Sequence, residues 1–248
     1  MNKPLCSLLM IVNKEPIYQQ FLYNLSTQLD VTIELIEIDN RHYQYDSARA
    51  AFNENIHRAN GEYLVFLHPD ICFLDPYALR DIMTHVRSLG EFGVAGIAGT
   101  PERLVNRQRV ILSNILHGYK MLPAGEVVSR PTPVQTLDEC MFIVKADYFR
   151  QSPFPDVPGW HLYCVEHCLQ AIRDGRKNYV VPAHVWHHSA GKSLDWNYIP
   201  QLEILIDKYK DMTPLINTTV RKWHTRGFIY RIYRRYYMLK QRIKSKLL

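Results

Sequence analysis

The chain alternates short continuous apolar runs with stretches whose apolar residues recur at helical spacing. Residues 5–12 form the first run and read as a buried strand, because a run with no polar face fits a sheet covered on both sides. Asn13, Lys14, Glu15 and Pro16 close it as a turn, with proline at a helix start. Phe21, Leu22, Leu25 and Leu29 then share one face of a helix over 17–29. A second strand over 31–38 carries Ile33, Leu35 and Ile38 and ends in Asp39-Asn40. Ala48, Ala51, Phe52 and Ile56 predict a helix over 47–59, with Asn60-Gly61 as its C-terminal cap. A third strand, over 63–67, stops at His68-Pro69-Asp70, since proline cannot donate to a sheet ladder. Asp75-Pro76 opens a helix over 75–89. This strand and helix alternation predicts a parallel, doubly wound α/β half.

Gly90, Gly93, Gly96 and Gly99 recur every third residue through a Val/Ala/Ile segment. The spacing is not G-x-G-x-x-G and ends in Thr-Pro, which disfavours a dinucleotide-binding loop and predicts a strand with close backbone approaches. Residues 102–133 are less regular. Strand character resumes over 134–144, where the acids Asp138 and Glu139 lead into Cys140, Met141, Phe142, Ile143 and Val144. A short helix is expected at 147–149 and a longer one over 165–173, beginning beside Glu166 and closing at Asp174-Gly175. A last strand over 178–182 leads to His184, Trp186, His187 and His188. From Phe228, the residues Ile232, Tyr236, Leu239, Ile243 and Leu247 return at helical spacing.

Charge changes the reading of that last segment. The net charge is +6, yet no Asp or Glu follows Asp211. Ten of the 30 basic residues lie from Arg221 onward, leaving 20 against 24 acids in residues 1–220. The body is mildly acidic and the basicity belongs to the tail. Basic residues with tyrosines and Trp223 on an amphipathic helix point to a membrane-surface anchor; a helix docked on the body or a partner is the alternative. Nucleic acid is disfavoured, because the body is acidic and carries no recognisable nucleic-acid module. The five cysteines form no C-x-x-C pair, so a zinc site or redox pair is not expected, and buried thiols in a reducing compartment fit. Residues 5–12 are too short to span a bilayer and lack a cleavage-site pattern, so the expectation is a cytoplasmic protein made without export.

Candidate chemistry gathers at strand ends, where open α/β sheets bind ligands. His68 and Asp70 suit a divalent cation carrying phosphate oxygens; an ordinary turn with a capping Asp is the bland alternative. Asp39 ends another strand, where an Asx turn would also suffice. Arg49 and Asn53 lie four apart on one helix face. Glu166 stands at a helix N-terminus, where an acid is favourable in its own right.

In this order the pieces resemble a glycosyltransferase of the GT-A fold. More narrowly, they are similar to family 2 bacterial transferases of capsule and surface polysaccharide assembly. The resemblance is carried over residues 5–195 by Asp39-Asn40, Ala51-Phe52-Asn53, Ala59-Asn60-Gly61-Glu62-Tyr63, Val65 to Asp70, Leu137-Asp138, the 160–169 segment and His187-His188-Ser189-Ala190-Gly191. It implies a doubly wound, Rossmann-like mixed sheet in residues 1–215, followed by a basic amphipathic helical tail over 216–248. It also implies a nucleotide-diphosphate sugar donor and Mn2+ or Mg2+. The family's D-x-D position falls on His68-Pro69-Asp70, with His in place of the first acid. By carry-over, Asp70 is the metal ligand, His68 faces the metal or a ribose hydroxyl, and His187 or His188 completes the site. Asp39, Asn40 and Asn13 would meet the base or ribose. Arg49, with Asn53 beside it, would face the nucleotide or diphosphate, and Lys192 the leaving diphosphate. The family's acidic pair is replaced by Tyr163-Cys164, which leaves Glu166 as the favoured base and Asp138 as the positioning acid or alternate base.

The function implied is inverting, metal-dependent transfer of a hexosyl or deoxyhexosyl group to a glycan or lipid-linked acceptor. Its implied location is the cytoplasmic face of the cell membrane. The competing reading is a non-catalytic nucleotide-sugar or glycan-binding module that acts as a membrane-associated scaffold. A nucleotidyltransferase is disfavoured by the lack of a glycine- and basic-rich N-terminal phosphate loop. Oligomeric state, a homo-oligomer included, stays open.

Overall fold

The computed structural model describes residues 3–188 and 197–246. Its first half is β1 (Cys6–Val12), α1 (Glu15–Ser26), β2 (Ile33–Asp39), α2 (Ala48–Asn55, continued by a 3-10 turn, Ile56–Arg58), β3 (Tyr63–Leu67), β4 (Ile71–Phe73) and α3 (Ala78–Ser88). The glycine-rich segment forms β5 (Ala95–Gly96) and β6 (Ala98–Thr100). Then come β7 (Leu112–Ser113), β8 (Ile115–His117), β9 (Leu122–Pro123), β10 (Thr132–Val134), β11 (Thr136–Leu137) and β12 (Met141–Lys145). The chain continues through α4 (Ala146–Gln151), α5 (Tyr163–Arg173), β13 (Asn178–Val180), β14 (Val185–His187) and α6 (Tyr198–Tyr209). It closes with β15 (Leu215–Asn217), β16 (Lys222–His224) and α7 (Phe228–Lys246).

The seven-stranded sheet runs β10-β13-β5-β12-β3-β1-β2. β1 pairs in parallel with both β2 and β3, as the alternation of strands and helices predicts. β12 is antiparallel to β3 and β5, so the sheet is mixed. Both faces are covered. In β1, Cys6, Leu8, Met10 and Val12 pack with α1 and α3, while Leu9 packs with α2 and α5 on the other side. β3 divides likewise, Val65 and Leu67 to one face and Leu64 and Phe66 to the other. Two-sided burial is why these strands read as unbroken apolar runs.

The glycine pattern reflects close packing. A Cβ at Gly99 would lie 2.5 Å from the Thr136 carbonyl oxygen, and one at Gly96 3.1 Å from Leu137. Gly61 differs from its expected role as a helix cap, because the helix ends earlier and its 3-10 turn closes at Arg58. A Cβ there would meet the Ser7 backbone nitrogen at 2.5 Å. Its amide donates to Ser7 Oγ at 2.8 Å and to Glu34 at 3.1 Å, which ties the entry of β3 to β1 and β2.

The expected boundary at 215/216 is also moved. Residues 215–224 form a hairpin on the body, not a tail: Ile216 and Trp223 pack in one cluster with Leu162, Val165 and Leu169 of the α5 region and Leu202 and Leu205 of α6. The helix itself starts at Phe228. Among the described residues no helix is long and apolar enough to cross a membrane.

Gly61→Ala should destabilise the fold by about 1–3 kcal/mol, the usual cost of overpacking. Thermal denaturation would read this as a fall of several degrees, and an unchanged midpoint would show that the two strands can separate to admit a methyl group.

Candidate active site

β3 ends at Leu67, and the chain turns through Pro69 into β4, so His68 and Asp70 leave the carboxyl edge of the sheet together. β4 pairs antiparallel with β14, Ile71 opposite His187. The His188 amide donates to the Asp70 carbonyl at 3.0 Å. The pairing sets His187 Nε2 3.3 Å from Asp70 Oδ1. Ligand atoms of His68, Asp70 and His187 all lie within 4.8 Å of one another. His187 Nδ1 is buried without a hydrogen-bond partner, while Nε2 faces the Asp70 carboxylate. Two imidazoles and a carboxylate, with an orphaned buried nitrogen among them, fit a divalent cation.

Burial and the Asp70–His187 contact set the protonation tendencies of the cluster without a cation. Burial lowers the His68 imidazole below its ordinary pKa, which favours the neutral, metal-binding form. Burial also works against charge on His187, but Asp70 outweighs it and holds the group above its ordinary value. Burial likewise raises Asp70, and the His187 contact more than offsets this and keeps its carboxyl low. His188 does not join them. Alternation along the chain turns it away, against Tyr119 and Trp186 at ring distances of 4.6 and 4.9 Å.

Two cavities meet at this cluster. One, of about 470 Å³, is lined by Asn13, Lys14, Phe52, Trp160 and Tyr163. The other, of about 300 Å³, is lined by His117, Leu162, His187, Tyr198, Thr219 and Val220. His68, Asp70, Glu139 and His161 border both.

Glu139 and Asp138 are neighbours with opposite environments. Burial works to raise Asp138, but Thr219 Oγ1, at 2.5 Å, and the Cys140 amide, at 3.0 Å, donate to it and hold it below its ordinary value. A carboxylate so satisfied is a poor proton acceptor. Glu139 is pushed up to about 8, first by burial and then by the Asp138 charge, with Arg49 and the Tyr163 and Cys164 amides opposing. Its Oε1 is shielded from solvent and has no hydrogen-bond partner. A raised carboxyl beside a lowered one is the pattern of an acid/base group beside a fixed charge.

Other expected site residues lie elsewhere. Glu166 and Arg49 are each 2% exposed and line neither cavity. They pair at 3.0 Å, Lys208 joins Glu166 at 3.0 Å, and Arg49 also donates to the His161 carbonyl at 3.1 Å. Glu166 thus has no path to an acceptor hydroxyl, and Arg49 none to a nucleotide. Asn53 is spent on Phe154, donating to its carbonyl at 2.8 Å and accepting from its amide at 3.2 Å. Asp39 is exposed and bound by the amide and guanidinium of Arg41, at 3.0 and 2.8 Å. The buried Asn40 accepts from the Tyr45 amide at 2.8 Å. Neither borders these two cavities; Asn13 lines the larger. Lys192 lies outside the described residues. Sequence reasoning passed over Glu139, His161, Tyr198 and Thr219. For Glu139 the available signal was its place beside Asp138 at the head of an apolar strand.

A mixed α/β sheet with a divalent-cation cluster at its carboxyl edge, and two cavities meeting there, is the GT-A arrangement of nucleotide-sugar transferases. The chain belongs to the glycosyltransferase-like family, whose model matches residues 7–209. A protein of Fuscovulum blasticum, "ATP synthase subunits region ORF 6", is 27% identical over 192 residues, covering 73% of each chain. Among solved structures, the mannosyltransferase PcManGT of Pyrobaculum calidifontis, in complex with GDP-Man and Mn2+, superposes with a TM-score of 0.56 at 13% identity over 85% of this chain. S. aureus TarS, in complex with UDP-GlcNAc, gives 0.56 at 12% identity over 82%. GalNAc-T7, with UDP, GalNAc and Mn2+, gives 0.52 at 11% identity over 85%. This chain spans 64%, 66% and 49% of those three solved chains. The likeness establishes the GT-A fold.

Two outcomes separate the acids. Glu166→Gln strands the buried Arg49 charge and should cost about 3 kcal/mol, a loss of about 10 °C in thermal midpoint. Glu139→Gln should act the other way. The native carboxyl holds a proton that the unfolded chain, with its pKa near 4.3, gives up, so the Glu139 contribution is full at low pH. It falls by about 1.4 kcal/mol per pH unit on the way to about 8. The metal-free variant should therefore gain midpoint over the parent at pH 9 and lose that advantage by pH 4; a constant difference would remove the raised pKa.

Proposed function

We propose that the chain transfers a sugar from a nucleotide-diphosphate donor to an acceptor hydroxyl, with inversion, and that Glu139 is the base. The observation that carries this is the meeting of two cavities at one raised carboxyl, with an unpartnered Oε1, beside a cluster that suits a cation. The larger cavity suits the donor: Trp160 and Phe52 offer apolar faces, and Asn13 and Lys14 offer polar groups. His68, Asp70 and His187 would hold Mn2+ or Mg2+, and the Mn2+ in the names of two related structures supports this choice. When bound, the cation supplies neutralisation of the leaving diphosphate.

The chain's own groups do the rest. Glu139 takes the acceptor proton at its free Oε1. Asp138, held by Thr219, keeps a fixed negative charge beside it, which strengthens the ionised Glu139 as a proton acceptor. Tyr198, Thr218 and Thr219 border the smaller cavity and can orient acceptor hydroxyls. Tyr163 Oη, 3.4 Å from His68 Nε2, fixes that imidazole. In this reading the acceptor is a glycan or a lipid-linked glycan of surface polysaccharide synthesis. The basic α7, with its exposed apolar side chains, holds the enzyme on the inner membrane surface.

Glu139→Gln should lower transfer by about 10²–10⁴-fold, the usual range for a general base, while keeping metal-dependent thermal stabilisation by the cognate nucleotide diphosphate. Asp70→Asn should lose that stabilisation. The nucleotide is found by comparing UDP, GDP, dTDP and CDP with and without Mn2+. Stabilisation by one of them without transfer or donor hydrolysis would favour a binding module instead.

A further inference from the structure

α7 has two faces with different fates. Toward the body, Arg234 pairs with Glu203 at 2.6 Å and donates to the His224 carbonyl at 2.8 Å. Tyr230 stacks on His224 at 4.0 Å, and Tyr237 meets Trp223 edge-on at 5.6 Å. On the far side Phe228, Ile229, Ile232, Tyr236, Leu239 and Ile243 are exposed. At 3.6 residues per turn these six form one stripe. Arg231 and Arg235 fall along one border of it and Lys240 along the other, all exposed.

Beside the stripe, the helix and β16 enclose a cavity of about 450 Å³. Ile229 and Tyr233 line it from the helix, and Arg221, Lys222 and His224 from the hairpin. Arg221 lies over the Tyr233 and Tyr237 rings at 5.5 and 5.0 Å and donates to the Tyr233 hydroxyl. Lys222 donates to the Arg107 carbonyl. These partners are neutral, and among the described residues neither cation has a carboxylate partner. Arg234, the third cation there, is already matched by Glu203. No acid follows Asp211 to compete for the other two.

We propose that this cavity binds the phosphate of an anionic phospholipid headgroup while the stripe lies in the boundary between headgroups and acyl chains. The inference rests on the membrane-surface reading above and adds its ligand. An amphipathic helix with basic borders lies in that plane. An arginine and a lysine without counter-charge at its edge offer a planar fork and a point charge to phosphate oxygens. The hairpin that carries them also carries Thr218, Thr219 and Val220, which line the smaller cavity. Headgroup binding would therefore set the acceptor side of the active site against the membrane.

The test is co-sedimentation of the full chain with vesicles of phosphatidylcholine alone or mixed with phosphatidylglycerol. The parent should bind the mixed vesicles and hardly bind the neutral ones. Arg221→Gln/Lys222→Gln should weaken binding about tenfold or more. Arg231→Gln/Arg235→Gln, with the same charge loss, should weaken it several times less. Lys222→Gln against Lys240→Gln repeats the comparison without disturbing the Arg221 contact to Tyr233, should the double variant fail to fold. Equal losses in both pairs would overturn the headgroup site and leave the membrane reading intact. Failure of the parent to bind any vesicle would overturn both. Inorganic phosphate that stabilises the parent but not the Arg221/Lys222 variant, while leaving vesicle binding unchanged, would assign the cavity to free phosphate and overturn the lipid ligand.

Discussion

The candidate centre depends on a ladder three residue pairs long, β4 against β14. Its register carries Asp70 to His187 across 117 positions of chain and leaves His188 on the opposite side. Side chains alternate along a strand, so a slip of one residue would exchange the two histidines. The cluster would then lose a buried ligand that faces Asp70 and gain one packed on Trp186 and Tyr119. Pro69 contributes from the other side by ending β3, which frees His68 and Asp70 to face the cluster. The other edge of β14 pairs in parallel with β8, His187 opposite His117, which supports the short ladder from behind.

Asp138 and Glu139 show how one link between strands can hold two chemistries. They share a backbone segment and a degree of burial, and they differ in donors. Asp138 receives a hydroxyl and an amide, so its charge is stable. Glu139 has one oxygen with no donor, and burial, then the Asp138 charge, push its carboxyl up. The hydroxyl on Asp138 comes from Thr219, in a hairpin turn gripped by Arg109 through the Thr218 and Thr219 carbonyls. The same hairpin leads into α7. The proton chemistry and the basic helix are thus mechanically close, although their residues lie far apart in the chain.

The Arg49, Glu166 and Lys208 group is the reverse case, charged residues that resemble a site and serve the scaffold. Arg49 reaches across to the His161 carbonyl and locks α2 to the start of α5. Its charge also opposes the elevation of Glu139, so it acts on the site through the field. A buried charge left without its partner is costly, and this sets the role of Glu166 more firmly than its position at a helix start.

Periodicity by itself determined the α/β class, the parallel first half, the strand ending at His68-Pro69-Asp70 and the amphipathic helix at the end of the chain. These follow from local rules: apolar runs, helical spacing and the missing donor of proline. The glycine repeat correctly announced close approaches, yet Gly61 was misread as a cap, because its neighbour is a strand 54 residues earlier. Only the tertiary structure decided which histidine joins Asp70, which acid is raised by burial and which is spent on an arginine. Those outcomes depend on partners distant in sequence. Burial, register and hydrogen-bond supply exist only once the sheet has closed, and they leave one carboxyl raised, one held low by two donors and one paired with an arginine.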